Sequence, residues 1–304
     1  MQLDRKYFMD NRPDFIAVGG ATASGKSSFA IQLAQAISGS IVCCDSVQLY
    51  RGFDIGSAKP TAAEQQLVPH YLFGLLDWSD SCDAAIYSKL AKVAINQIKE
   101  AGRIPIIVGG TGLYLRALMG DAWDDDIPSD AGLRAELNLR TSDDLFRELS
   151  SRDPSRACHL HPNDRFRVIR ALEINILTGK PVRVKKSDQS QPRSHMMIFL
   201  NPPKTMLHEK INLRTQEMLK CGLVEEVRGL LDSGVSPNCK PMQSIGYKQV
   251  SAVLLGEASL ESLEDEIATA TRQYAKRQVT WFKKVPANFT LSSAEEISSV
   301  LEKL

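Results

Sequence analysis

No run of about 20 apolar residues occurs anywhere in these 304 residues, which excludes a membrane-spanning helix as the organising element. The opening stretch, Met1 to Arg12, is polar and has no hydrophobic segment, so no secretory signal is expected there. Cysteine is sparse: six residues, adjacent at Cys43 and Cys44 and otherwise single, with no C-x-x-C spacing. That argues against a disulfide framework or a cysteine zinc site and fits a reducing, cytoplasmic compartment. Net charge is almost absent at +1, so no global field draws the chain to nucleic acid or a membrane. Any nucleic-acid surface must come from local basic patches. Internal repeats and low-complexity tracts are missing too. What is present, 43% hydrophobic and 24% charged residues, is ordinary globular material for one large domain or a core carrying a subdomain.

The stretch that organises the chain is Phe15 to Ser28. An apolar run ends in glycines and opens into a helical pattern, and Gly20-Ala21-Thr22-Ala23-Ser24-Gly25-Lys26-Ser27 spells G-x-x-x-x-G-K-S. In this strand–loop–helix setting the spacing reads as a phosphate-binding loop. Its glycines let backbone N–H groups turn inward around phosphate oxygens, and the helix that follows adds its N-terminal dipole. Lys26 is expected on the outer phosphates and the Ser27 hydroxyl on Mg²⁺. A loop that merely joins a strand to a helix is the bland alternative.

Further strands read at Ser40 to Cys44, Ile104 to Val108 and Met196 to Leu200. Ligands of open α/β sheets sit beyond the carboxyl ends of strands, which places Asp45, after the second strand, near the phosphate loop. Catalytic base, Mg²⁺ ligand and cap of the next turn are its three readings. The corner Gly109-Gly110-Thr111-Gly112 either presents the Thr111 hydroxyl to a ligand or is a tight turn. Helical patterns run from Asp83 to Ala101, Lys204 to Lys220, Leu223 to Leu231, Ser244 to Leu255 and Glu261 to Val285. On the last, Ile267, Ala270, Tyr274, Trp281 and Val285 share a face; Arg272, Lys276 and Lys283 lie opposite, with Arg277 at an edge. No acid occurs from Ala268 to Lys284, and such a cationic face suits RNA phosphates or a diphosphate.

Strand–helix alternation lapses between Asp121 and His195. Asp124-Asp125-Asp126 with Pro128 reads as a solvated loop, followed by helices from Asp130 to Leu139, Ser142 to Ser150 and Asn163 to Leu177. On the third, Ile169, Leu172 and Ile176 face inward while Arg167 and Arg170 face away. Lys180, Arg183, Lys185, Lys186 and Arg193 follow. The expected architecture is α/β: a P-loop NTPase-like core over 12–120 and 196–304, with a parallel sheet and flanking helices, and an inserted all-α subdomain over 121–195.

Together these stretches resemble the bacterial-type tRNA dimethylallyltransferase family, also called tRNA isopentenyltransferases. The resemblance rests on the phosphate loop, Asp45-Ser46-Val47-Gln48, Asp54-Ile55-Gly56-Ser57-Ala58-Lys59-Pro60 and Gly109 to Tyr114. It continues through His161-Pro162-Asn163-Asp164, Arg167 to Glu173, Gly179-Lys180, Ser244 to Lys248 and Lys276-Arg277-Gln278-Val279-Thr280-Trp281-Phe282-Lys283. Departures are modest: Ala21 where Pro is usual, Ser27 where Thr is frequent, and Lys248 where Arg is frequent. No zinc-finger extension like that of eukaryotic relatives is expected, in keeping with the scattered cysteines.

The resemblance implies transfer of a dimethylallyl group from dimethylallyl diphosphate to N6 of the adenine immediately 3′ of the tRNA anticodon, with Mg²⁺ as cofactor. It assigns catalysis to Asp45 as base, Thr111 and Lys26, and donor binding to the phosphate loop with Arg214. Contact with the tRNA anticodon arm falls to Asp45, Ser46, Val47, Gln48, Thr111, Arg134, Phe166, Arg167, Val168, Ile169 and Arg170. Gln243, Ser244, Ile245, Gly246, Tyr247 and Lys248 join them, as do the residues from Lys276 to Lys283. A monomer with no membrane partner is expected. A small-molecule P-loop kinase and an RNA-binding NTPase share the loop, but each needs ATP or GTP instead of an allylic diphosphate.

Overall fold

The computed structural model describes residues 13–120, 130–180 and 194–304. The polar start up to Arg12, the acidic loop Asp124-Asp125-Asp126 with Pro128, and Arg183, Lys185, Lys186 and Arg193 lie outside the described residues. In order, the first elements are β1 (Phe15–Gly20), α1 (Lys26–Ile37), β2 (Gly39–Cys43), α2 (Ala62–Leu67), β3 (His70–Tyr71), α3 (Ala84–Glu100), β4 (Ile104–Gly109) and α4 (Gly112–Leu118). Next come α5 (Ala131–Asn138), α6 (Ser142–Arg152), α7 (Pro154–Ala157) and α8 (Arg165–Thr178). The chain continues with β5 (His195–Leu200), α9 (Lys204–Lys220), α10 (Leu223–Asp232), α11 (Tyr247–Leu254), α12 (Leu263–Phe282) and β6 (Phe289–Leu291). It closes with a 3₁₀ turn (Ala294–Glu296) and α13 (Ile297–Leu301).

The six strands form a parallel sheet in the order β3-β2-β4-β1-β5-β6. Helices cover both faces, so strand residues of both parities are apolar. Phe15, Ala17, Val42, Ile107, Met197 and Phe199 pack on the side of α3, α4, α10 and α12. Ile16, Val18, Ile41, Ile106, Ile198 and Leu200 pack on the side of α1 and α13. This is the P-loop NTPase-like α/β fold.

Local chemistry sets the element ends. Asp83 caps α3 by accepting from the Ile86 N–H at 2.9 Å, and Gly102 (φ 72°) stops it. Gly179 (φ 64°) ends α8 in the same way. Among the long elements the sequence reading departs from the structure in two places. The helix expected from Ser244 starts at Tyr247, because Gly246 (φ 92°, ψ −64°) holds a conformation no helix can include. The buried face of α12 is Ile267, Ala268, Ala275, Gln278 and Phe282, leaving Tyr274 and Trp281 partly exposed at its border.

Contacts divide the chain into two compact units, Met1–Gly120 with Gln191–Leu304, and Asp121–Ser190. The described part of the second unit is helical, and its core is Leu137, Leu145, Leu149, Val168, Ile169 and Leu172. Glu173 is fully buried there. It accepts from the Asp130 N–H at 2.8 Å, from Arg134 Nε at 2.9 Å and from Arg170 Nη1 at 2.5 Å. Burial opposes its charge, yet the hydrogen bonds from Arg170, Asp130 and Arg134 hold its carboxyl below the ordinary range.

In the larger unit the register decides what meets at the carboxyl edge of the sheet. β4 lies between β1 and β2, pairing Gly19 with Gly109 and Cys43 with Val108. The phosphate loop, the Gly109–Gly112 corner and Asp45 therefore emerge side by side. Gly109 is required here: a Cβ on it would lie 1.9 Å from the Cys44 carbonyl oxygen. Gly109→Ala is expected to lower stability by about 1–3 kcal/mol and to displace Asp45. Urea unfolding reads the loss of stability, and a variant as stable as the parent would contradict the close approach.

Candidate active site

A cleft of about 980 Å³ opens at that edge of the larger unit. Thr22, Lys26 and Ser27 line it, with residues 45–48, residues 54–62, Arg214, residues 243–246, and Tyr274, Arg277 and Gln278. The phosphate loop is wound by two positive φ angles, 60° at Ala23 and 88° at Gly25, and passes directly into α1. A left-handed turn followed by a helix start is a concave donor surface for an anion. The Lys26 ammonium bonds the Ala21 carbonyl at 3.1 Å. Desolvation, then the Arg214 charge, pull its pKa down to about 8 against the opposing pull of Asp45 and Cys44. Arg214, reaching in from α9, donates to the Thr22 hydroxyl at 3.1 Å and to the Ser57 carbonyl at 3.4 Å. Desolvation lowers its pKa as well, with Asp45 opposing. Two cations held this close together make a strong anion site.

Asp45 leaves β2 with one carboxylate oxygen engaged. Its Oδ1 accepts from the Val47 N–H at 2.9 Å and the Gln48 N–H at 3.4 Å. That is the turn-capping geometry, and it orients the carboxylate without consuming Oδ2. Thr111 does not line the cleft. Its Oγ1 accepts from the Ser46 N–H at 3.1 Å and its own N–H bonds the Cys44 carbonyl at 3.2 Å. Thr111 therefore braces Asp45 from behind. Gln48 donates through Nε2 to the Ser57 and Ala58 carbonyls at 2.9 and 3.0 Å, tying the Asp45 turn to the loop of residues 54–60.

That loop has its own anchor in Glu226 of α10. The Glu226 carboxylate accepts from three successive N–H groups, Asp54 (3.2 Å), Ile55 (2.8 Å) and Gly56 (3.3 Å), and from the Tyr247 hydroxyl (2.6 Å). Gly56 must lack a side chain, since a Cβ would meet the Tyr247 ring at 2.5 Å. Lys59 completes the loop with bonds to the Tyr50 carbonyl at 2.7 Å and Asp54 at 2.5 Å.

The residues assigned to RNA fall into three groups. Asp45 to Gln48, Gln243 to Gly246, Arg277 and Gln278 lie on the cleft. Phe166, 80% exposed, and Arg167, Lys248, Lys276, Thr280 and Lys283 lie at the surface; Arg167 pairs with Asp164. Val168, Ile169, Tyr247 and Phe282 are buried, as is most of the cleft-lining Gln278. Phe282 stacks on Phe199 at 5.5 Å, Val279 packs on the small cluster of Ala21, Leu207, Ile211 and Ala275, and Trp281 fills the space a Gly112 side chain would need. The matched stretches thus alternate anchors with exposed polar groups.

Two side chains of this site escaped the sequence reading. Glu226 gave no signal, because an acid in the first turn of a helix reads as a surface residue. Tyr274 was assigned only to an apolar face. It lines the cleft with Arg277 stacked on its ring at 5.6 Å, and its phenol faces Asp45, Thr111 and Gln278. Burial and then the Asp45 charge push that phenol up to about 12, so it stays a neutral donor.

Comparison with known proteins bears on the chemistry. The model of the family described as IPP transferase matches residues 48–285. A tRNA dimethylallyltransferase 1 from Trichlorobacter lovleyi is 43% identical over 282 residues, covering 91% of this chain and 92% of its own. The solved tRNA isopentenylpyrophosphate transferase of Bacillus halodurans superposes with a TM-score of 0.71 at 38% identity, over 95% of this chain and 94% of its own. A eukaryotic dimethylallyltransferase, solved acting on tRNA, superposes with a TM-score of 0.78 at 29% identity, over 92% of this chain and 74% of its own.

Proposed function

The chain belongs to the IPP transferase family, and from that premise we propose that it transfers a dimethylallyl group from dimethylallyl diphosphate to N6 of the adenine immediately 3′ of the anticodon in tRNA. The observation that carries this reading is the juxtaposition of two unlike ends in a single cleft. The phosphate loop with Lys26 and Arg214 suits a diphosphate, and beside it Asp45 holds an oriented carboxylate oxygen in reserve.

The bond between the allylic carbon and the diphosphate oxygen breaks as N6 forms its bond to that carbon. The electron pair goes to diphosphate, whose growing charge meets the loop N–H groups, Lys26 and Arg214. The adenine amine is a poor nucleophile because its lone pair is delocalised into the ring. Its proton passes to Asp45 Oδ2, a transfer worth roughly 10²–10⁴-fold in rate. Thr111 and the 46–48 backbone hold that carboxylate in place. The base must be unstacked from the anticodon loop to enter the cleft.

The residues present fit Mg²⁺. Ser27 offers an exposed hydroxyl on the first turn of α1, and Ser24 Oγ is a buried loop hydroxyl with no partner. Among the described residues no cluster of three or more His, Cys, Asp or Glu could hold an ion, so Ser27 and the diphosphate oxygens would be its ligands. The ion would add positive charge at the leaving diphosphate.

The helical unit, with Phe166 and Arg167 on its surface, is assigned to the anticodon arm, and Lys276, Arg277 and Lys283 to RNA phosphates. No described helix is long and apolar enough to cross a membrane, and a cytoplasmic monomer is the working assignment. Incubation with bulk tRNA and labelled dimethylallyl diphosphate, or terminally labelled ATP or GTP, tests the reading. Label is expected in RNA from the allylic donor alone. Phosphate transfer, or RNA-stimulated hydrolysis without prenylated RNA, would replace this reading with a kinase or an NTPase.

A further inference from the structure

Gln278 falls inside a stretch assigned to tRNA, yet both polar atoms of its side chain are engaged within the protein. It is 6% exposed. Its Oε1 accepts from the Thr22 N–H at 2.8 Å, and its Nε2 donates to the Gly110 carbonyl at 2.9 Å. The space is cut to fit, since a Cβ on Gly110 would stand 2.1 Å from Nε2. The paired register of β1 and β4 ends at Gly19 and Gly109. Immediately beyond that point this amide adds a rung between the two loops, accepting from one and donating to the other as a peptide group would.

We propose that Gln278 is a positioning residue that joins the phosphate loop to the Gly109–Gly112 corner and so fixes the donor diphosphate relative to Asp45. The proposal rests on the prenyl-transfer reading. Both loops carry chemistry on their far sides. Thr22, whose N–H Gln278 holds, receives Arg214 on its hydroxyl. Gly110 adjoins Thr111, which braces the Asp45 turn through the Ser46 N–H. The same bond pair sets the rotation of α12, which brings Tyr274 and Arg277 to the cleft. Without the amide, an N–H of one loop and a carbonyl of the other lose their partners and the loops separate. A displacement near 1 Å at a reacting centre costs about 10²-fold in rate.

Two variants test this, with the parent assayed alongside. Gln278→Leu removes both bonds at similar length. At saturating donor and tRNA its single-turnover rate is expected to fall about 10- to 100-fold, with tRNA affinity within about twofold. Gln278→Glu keeps an acceptor for Thr22 but can donate to Gly110 only when protonated. Its rate relative to the parent should therefore climb as pH falls, while the relative rate of the Leu variant stays flat. Lys26, Asp45, Arg214, Tyr274 and Arg277 face the same cleft in all three proteins, so comparison with the parent and the Leu variant isolates what the new carboxyl adds. The Glu profile decides even if the Leu variant fails to fold. Weaker tRNA binding with an unchanged saturated rate would make Gln278 an RNA contact, and a pH-independent Glu ratio would remove the rung; either overturns the proposal. A parent that prenylates no RNA would instead refute the functional reading.

Discussion

Replacing Asp45 by Asn is expected to lower the single-turnover rate of prenyl transfer by roughly 10²–10⁴-fold while leaving donor affinity, tRNA affinity and fold close to the parent's. The geometry makes this substitution unusually clean. Oδ1 is held by the Val47 and Gln48 N–H groups, a role the Asn carbonyl can repeat. Asn is itself a good cap, so the turn should lose at most a fraction of the 0.5–2 kcal/mol that a cap is worth, as a rough figure. What changes is the second position, where an oxygen able to take a proton becomes an NH₂ that can only donate. A metal-ligand role predicts something else: weakened Mg²⁺-dependent donor binding and partial recovery at high Mg²⁺. A rate near the parent's, or one restored by Mg²⁺ alone, would take the base away from Asp45.

That two of the three readings of Asp45 can be separated so sharply reflects what a sequence carries. The end of β2, the phosphate loop and the Gly109–Gly112 corner were legible because each is local: an apolar run, then glycines or a polar residue at its carboxyl end. Helices α3 and α9 were bounded correctly by the same means, with Gly102 and the Pro202-Pro203 pair as punctuation. β3 and β6 were missed because two and three residues are too short for any period to register. The helical insert was visible as a lapse in alternation, but the pairing of Arg134 and Arg170 with the buried Glu173 was not. Arg170 reads as an outward cation because helical spacing gives direction without naming a partner, and Arg134 is assigned to tRNA by the resemblance alone. The inward bonds of Gln278 were hidden for a related reason. The resemblance assigns it to tRNA with its neighbours Lys276, Arg277 and Lys283, and nothing local tells that its amide bonds two loops 168 and 256 residues away in sequence. Glu226 is the extreme case, an acid whose meaning lies entirely in three backbone N–H groups that only the fold brings to it.

Replacing Lys26 by Met should impair transfer and stabilise the empty protein, two effects of opposite sign from a single charge. Removing one preorganised cation from the leaving group is expected to lower kcat/KM by about 10²–10³-fold, with tRNA affinity unchanged. In the absence of donor and Mg²⁺, however, the Lys26 ammonium is disfavoured, first by desolvation and then by Arg214, so that its pKa falls from 10.5 to about 8. Between those two values the unfolded chain holds a proton that the folded chain has released. Stability contributed at this position therefore rises with pH through that window, and below about pH 8 the full penalty of the desolvated charge remains. Met carries no such penalty. Urea unfolding of the empty proteins should find Lys26→Met more stable than the parent at pH 7, the gap narrowing as pH is raised from 8 towards 10.5. Function at this position is thus held at some expense of stability, as expected where a site is built around charge that its ligand completes. A variant less stable than the parent at pH 7, or a gap that does not change with pH, would show that the Ala21 carbonyl bond already satisfies the ammonium. The cleft would then lack the unbalanced positive charge on which its reading as a diphosphate site depends.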